Sequence, residues 1–346
     1  LFLDMLWRET EGDIALRHRA FAGLRRYQEA TRPAPPPQPR VASVIGSARL
    51  LHYGTEKAAK NGKAKRSRTR APVLFIPSLI NPPTVLDLSE NQSLLRYLAS
   101  RGHDPWMIDW GTPGQADLSL DLADHVEQRL APLIAALPQP PILAGYCLGG
   151  TLALGAASIV PVRAVTAIAT PWDFTGFHEA ARQEVTRLWS GAKPICARLG
   201  YVPMEVLQSG FWALDPARTI RKYAAFGEME PGSDGERAFL ALEDWANAGP
   251  PLTFAAAEDL FDRLYSENRT GEGRWMVRGV PVTLSALGCP SLAIRSSTDR
   301  IVPAASAPPL AEQMTLELGH VGMIVGRRAP DALWNPLSDW LSSNGA

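Results

Sequence analysis

Cysteine and histidine are scarce in this chain, which holds three and six of them among 346 residues. Three cysteines (Cys147, Cys196 and Cys289) cannot form a disulfide scaffold. The opening LFLDMLWRETEGD turns acidic too early for a secretory signal, so a reduced, cytoplasmic setting is expected. No metal site is expected. Net charge is missing too, since Lys+Arg and Asp+Glu both total 35, which excludes an obvious footprint for nucleic acid. The balance hides an asymmetry: residues 1–70 carry 15 basic and 6 acidic groups, the remainder 20 and 29.

What is present is enough for a large core, with 46% hydrophobic and 20% charged residues. Disorder and collagen-like repeats are excluded. One window, residues 142–160 (ILAGYCLGGTLALGAASIV), has no charge over 19 residues and would pass for a membrane span. Its four glycines argue for a buried strand followed by a buried helix, and no transmembrane segment is expected.

Residues 1–30 show helical spacing at Leu6, Ile14, Phe21 and Leu24, and RPAPPPQPR (32–40) then reads as an extended linker. A short apolar segment (43–54) precedes EKAAKNGKAKRSRTR (56–70), too basic to pack a core. From residue 72, strands at 73–76, 104–110, 141–145, 163–170, 290–297 and 314–318 alternate with helices at 93–102, 118–137, 151–159, 304–313 and 330–343. This alternation implies an α/β fold with a mostly parallel sheet covered by helices on both faces. The expected organisation is an N-terminal arm (1–71), a core (72–174 and 285–346) and a helical cap inserted at 175–284.

GYCLGG (145–150) lies between a strand and a helix, the nucleophile-elbow pattern with cysteine as nucleophile. A tight turn there needs glycine two residues before and after Cys147, and free N–H groups at the helix start favour thiolate over thiol. Downstream, Asp299 follows the strand SLAIR and His320 follows MTLEL. Of the two histidines after Cys147, His178 and His320, only His320 follows a strand. Nucleophile, acid and histidine in that order are the triad order of α/β-hydrolases. Cys147 is thus the candidate nucleophile, His320 the base and Asp299 its orienting carboxylate; Cys196 and Cys289 read as ordinary thiols. Oxyanion donors are expected from the backbone of Leu148 and of Leu79 or Ile80 in PSLIN (77–81). Asn81 and Trp110 are candidates to line the substrate site, and Asp173 reads as a loop-bonding carboxylate.

GYCLGG, IDWG (108–111), TPWDF (170–174), Asp299–Pro303 and GHVG (319–322) together resemble the polyhydroxyalkanoate synthases, and the cap segments VPMEVLQSGFWALDP and LEDWANAGPP extend the likeness. The length resembles the short catalytic subunits of two-component (class III-like) synthases. The resemblance implies an α/β-hydrolase fold and polymerisation of 3-hydroxyacyl-CoA through a cysteine thioester, with CoA a released product and no cofactor. It implies a growing polyester chain, a homodimer or a second small synthase subunit, and a cytoplasmic location at polyester granules. Arg300 stands where the family usually has histidine, Asn81 is followed by Pro82-Pro83 instead of a basic residue, and Gln208 replaces a common asparagine.

Two other readings remain open. One is a cysteine hydrolase, either a polyester depolymerase or esterase or a relative of the shorter, capless dienelactone hydrolases. The other is a non-catalytic granule-associated accessory protein.

Overall fold

The computed structural model describes residues 2–54 and 70–345. Two helices, α1 (Phe2–Glu9) and α2 (Ile14–Glu29), open the chain, and Asp13 caps α2 by accepting from the Leu16 amide at 2.8 Å. An eight-stranded sheet follows: β1 (Arg40–Ile45), β2 (Ala48–His52), β3 (Pro72–Ile76), β4 (Asp104–Asp109), β5 (Ile142–Tyr146), β6 (Ala164–Ile168), β7 (Ser291–Ser296) and β8 (Glu312–Leu316). Its spatial order is β1-β2-β4-β3-β5-β6-β7-β8, with β1 and β2 antiparallel and the rest parallel.

Alternation within the strands feeds two cores. Phe75, Ala144 and Tyr146 face one, with α3 (Leu94–Ser100) and a final helix α11 (330–344) supplying Leu94, Leu98, Leu333 and Leu337. Leu74, Ile76 and Leu143 face the other, against α4 (122–135, with a wider π turn inside it) and α5 (Leu148–Ala157). Because both faces are covered, β5 is buried at every position, which explains its continuous apolar run. Among the described residues no helix is long and apolar enough to cross a membrane.

Between β6 and β7 the chain builds a helical cap: α6 (Glu179–Leu199), α7 (Met204–Leu214), α8 (Pro216–Gly227), α9 (Asp234–Asn247) and α10 (254–266). Trp189, Cys196, Leu207 and Leu260 continue the α4/α5 core into it.

Three expectations are corrected. The segment expected as an arm as far as residue 71 is divided: the hairpin β1–β2 joins the main sheet, with Leu50 opposite Ile108, and α2 packs on cap helix α8. The helix expected at 304–313 is only a 3-10 turn at Ala304–Ser306. There, Pro308 and Pro309 lack the N–H groups that would continue it. The strand expected at 314–318 starts two residues earlier. The segment expected as a basic loop at 56–70 falls outside the described residues except for Arg70.

Candidate active site

Strand β5 ends at Tyr146 and α5 begins at Leu148, so Cys147 occupies the corner between them at φ 55° and ψ −132°. Left-handed backbone is costly for a residue with a side chain, and the surroundings fix it here. The Cys147 amide donates to the Ile168 carbonyl at 2.9 Å, and its own carbonyl accepts from Gly150 at 2.9 Å. Close packing explains the flanking glycines. A Cβ on Gly149 would lie 2.0 Å from the Ile76 carbonyl oxygen, and one on Gly145 would lie 2.3 Å from the Gly150 Cα.

Asp299 follows β7, and its two oxygens have separate tasks. Oδ1 accepts from the amides of Ile301 (2.8 Å) and Val302 (3.0 Å), and Oδ2 takes His320 Nδ1 at 2.7 Å. With Nδ1 donating to the carboxylate, Nε2 is left for the thiol. His320 is buried, and burial opposes its charge. The facing Cys147 and the bonded Asp299 outweigh that and push its pKa up to about 10. Tyr146, which the sequence reading did not single out, stacks on the imidazole (centroids 5.1 Å apart) and donates its hydroxyl to the His320 carbonyl at 3.3 Å. Its place beside Cys147 in GYCLGG was the available signal.

Cys147 and His320 open into a cavity of about 210 Å³ whose walls come from both the core and the cap. The expected oxyanion donors fare differently. Leu148 is the first residue of α5, and a first-turn N–H has no partner within its helix. Ile80 lines the cavity, yet its amide donates to Ser78 Oγ at 3.0 Å and so is already engaged. Leu79 turns its side chain into the α4/α5 core. Asn81 lines the cavity at φ 65°, and its amide reaches the carbonyls of Ala246 (3.4 Å) and Ala248 (3.3 Å) at the end of α9.

Trp110 does not line this cavity. It is buried, and its indole braces the loop by donating to the Pro77 carbonyl at 3.0 Å. Its outer edge meets an adjoining groove of about 1110 Å³, which shares Asn81, Pro82 and Trp245 with the Cys147 cavity. Asp173 bonds the Thr175 amide (3.0 Å) and Asn268 (3.0 Å), as a loop-fixing carboxylate does. Arg300, in the position after the acid, reaches into the cap and pairs with Asp215 at 2.6 Å. Cys196 is fully buried and Cys289 half-buried, and burial raises both thiols. Among the described residues no cluster of histidine, cysteine or carboxylates could hold a metal.

A family model described as "Alpha/beta hydrolase family" matches residues 73–333. The chain belongs to this family. The motif resemblance is also borne out in the relatives. The poly(3-hydroxyalkanoate) polymerase subunit PhaC of Haloferax mediterranei is 27% identical over 310 residues, covering 85% of this chain and 61% of that protein. PhaC of Haloarcula marismortui is likewise 27% identical, covering 85% and 65%. PhaC of Thiocystis violacea is 28% identical, covering 79% and 81%. The chain thus spans less than two thirds of the length of the first two relatives. Among solved structures, a Burkholderia cenocepacia protein described as an aryl esterase superposes with a TM-score of 0.50 at 15% identity, covering 88% of this chain and 99% of its own. That likeness concerns the fold.

Proposed function

We propose that this α/β-hydrolase is a polyhydroxyalkanoate synthase-type acyltransferase that works through Cys147. The observation that carries the reading is the strained Cys147 at the head of α5, facing a His320 that is tied to Asp299 and held basic. The relatives' name, poly(3-hydroxyalkanoate) polymerase subunit, together with the motif resemblance supports a 3-hydroxyacyl-CoA as the substrate class.

In this reading the Cys147 thiolate attacks the thioester carbonyl carbon. The electron pair moves to oxygen, near the first-turn amide of Leu148. Collapse breaks the bond to coenzyme A, whose departing sulfur takes the proton from His320 Nε2, and the acyl group stays on Cys147. The hydroxyl of another 3-hydroxyacyl unit then attacks this thioester while neutral His320 accepts its proton. An ester forms, the Cys147 thiolate is released, and one CoA is liberated per bond. A thioester intermediate keeps enough energy for transfer to an alcohol, and cap helices over the cavity favour the alcohol over water.

The test is to incubate the purified protein with 3-hydroxybutyryl-CoA and follow free thiol and insoluble polymer. Both are expected, and Cys147→Ala should abolish both. Free CoA without polymer would favour the cysteine-hydrolase reading, and binding without turnover would favour an accessory role. A homodimer or second subunit, and a granule location, belong to the same proposal.

A further inference from the structure

Most of the Cys147 cavity is apolar, with Val85, Phe211, Trp212 and Val321 among its walls. One stretch on the cap side is not. Lys222 of α8, Gln208 of α7 and Asn247 at the end of α9 bring an ammonium and two amides to the same cavity. Behind them is a buried carboxylate. Lys222 Nζ donates to both Glu243 oxygens at 2.7 Å, the Tyr223 hydroxyl donates to Oε1 at 2.6 Å, and Asn247 Nδ2 adds a bond at 3.3 Å. Gln208 Nε2 in turn bonds the Asn247 side chain. The Glu243 side chain is only 5% exposed.

Burying the Glu243 carboxylate does not stabilise a fold relative to a well-packed apolar residue, because it loses its water while Lys222 stays partly exposed. The placement of the network on the cavity wall gives it another use. The ammonium has three N–H donors, and among the described residues its hydrogen bonds go only to the two Glu243 oxygens. The amide N–H groups of Gln208 go to Ala246 and Asn247, and those of Asn247 to Tyr27 and Glu243, so the wall's spare donor is Lys222, whose charge Glu243 cancels. That suits a neutral oxygen and not a carboxylate or phosphate. A chain carrying one neutral oxygen, a few bonds from the sulfur of Cys147, matches an apolar cavity with one polar wall.

We infer that Lys222, held by Glu243, forms with Gln208 and Asn247 a subsite for the 3-hydroxyl of the acyl group delivered to Cys147. This subsite selects hydroxyacyl over plain acyl thioesters. The inference rests on Cys147 being the thioester nucleophile. A site that hydrogen-bonds a hydroxyl discriminates strongly against analogues lacking it, since its polar groups are then left unpaired.

The experiment compares 3-hydroxybutyryl-CoA with butyryl-CoA in single-turnover acylation of the full chain, read as CoA release and as the mass of the acyl-enzyme. Wild type should prefer the hydroxyacyl thioester. Lys222→Met should lower the ratio of the two kcat/KM values about ten- to hundredfold, the size of one hydrogen bond to a charged group. The double variant Lys222→Met/Glu243→Gln avoids an unpaired buried carboxylate, keeps an acceptor for the Tyr223 hydroxyl, and should give the same loss of selectivity with a near-wild-type thermal midpoint. An unchanged ratio in both variants, or equal losses on both thioesters, would overturn the subsite while leaving the nucleophile in place. Acylation of wild type by neither thioester would overturn the nucleophile reading, and the subsite with it.

Discussion

His320 is buried and faces Cys147, so the charge on the sulfur bears on the imidazole. Folding raises His320 from the ordinary 6.5 to about 10, so the protonated imidazole favours the folded state. That contribution is complete below about pH 6.5 and is lost as the pH rises towards 10. The thermal midpoint of wild type relative to His320→Gln should therefore fall across this window, and a constant difference would contradict the shift. The same variant should slow acylation by roughly 10²–10⁴-fold. The arrangement of Cys147, Asp299 and His320 was legible because each part is local. Glycines mark the elbow, and strand ends mark the other two positions. Lys222 was not legible, since its role depends on α8 and α9 coming together around Glu243. The engagement of the Ile80 amide, by contrast, is a local bond to Ser78 two residues earlier, which the serine in PSLIN could have signalled.

At the scale of elements, the crossing of α2 over α8 is the most demanding contact of the N-terminal part. A Cβ on Gly23 would lie 1.8 Å from the Tyr223 carbonyl oxygen, so the two backbones meet directly. Arg26 then closes the end of α8 by donating to the carbonyls of Gly227 (3.1 Å) and Met229 (2.6 Å), with Glu236 paired to it at 2.6 Å. Gly23→Ala must push the helices apart and should cost about 1–3 kcal/mol in urea unfolding, the usual scale of overpacking. Wild-type stability in that variant would show the crossing to be looser than described. The sequence displayed both helices through their apolar spacing, but not their partner. The β1–β2 hairpin was harder still, because an antiparallel addition to the end of a sheet is set by pairing with β4 across more than fifty residues. Neither partner's local pattern encodes that pairing.

Over the whole molecule, the charge asymmetry resolves into pairings. Arg26 and Arg32 of the basic N-terminal part are held by Glu236 and Asp244 of the cap, so part of the imbalance is settled internally. Among the described residues, His52 at the end of β2 and Pro72 at the start of β3 lie beside Trp106 and Asp104 at the start of β4. Cys147, Asp299 and His320 follow the far ends of their strands. His52 and Pro72 are thus at the end of the strands opposite the candidate site. Deleting residues 56–70 should leave KM for acyl-CoA unchanged at every salt concentration. A rise in KM at low salt alone would show that these cations reach the coenzyme.

The strap between α2 and β1 carries five prolines and is fastened at both ends. Arg32 grips Asp244 of the cap, and the Pro37 carbonyl accepts from Arg96 of the core at 2.6 Å. An inserted cap is ordinarily joined to its core by two chain crossings. Here α2 rides on the cap, and the strap adds a third tether. Ten residues of polyproline-like chain reach about 31 Å at 3.1 Å each, and they resist both compression and folding back. A body held at three points does not swing like a door on one hinge. The strap thus ties α9 of the cap to α3 of the core independently of the two crossings that insert the cap.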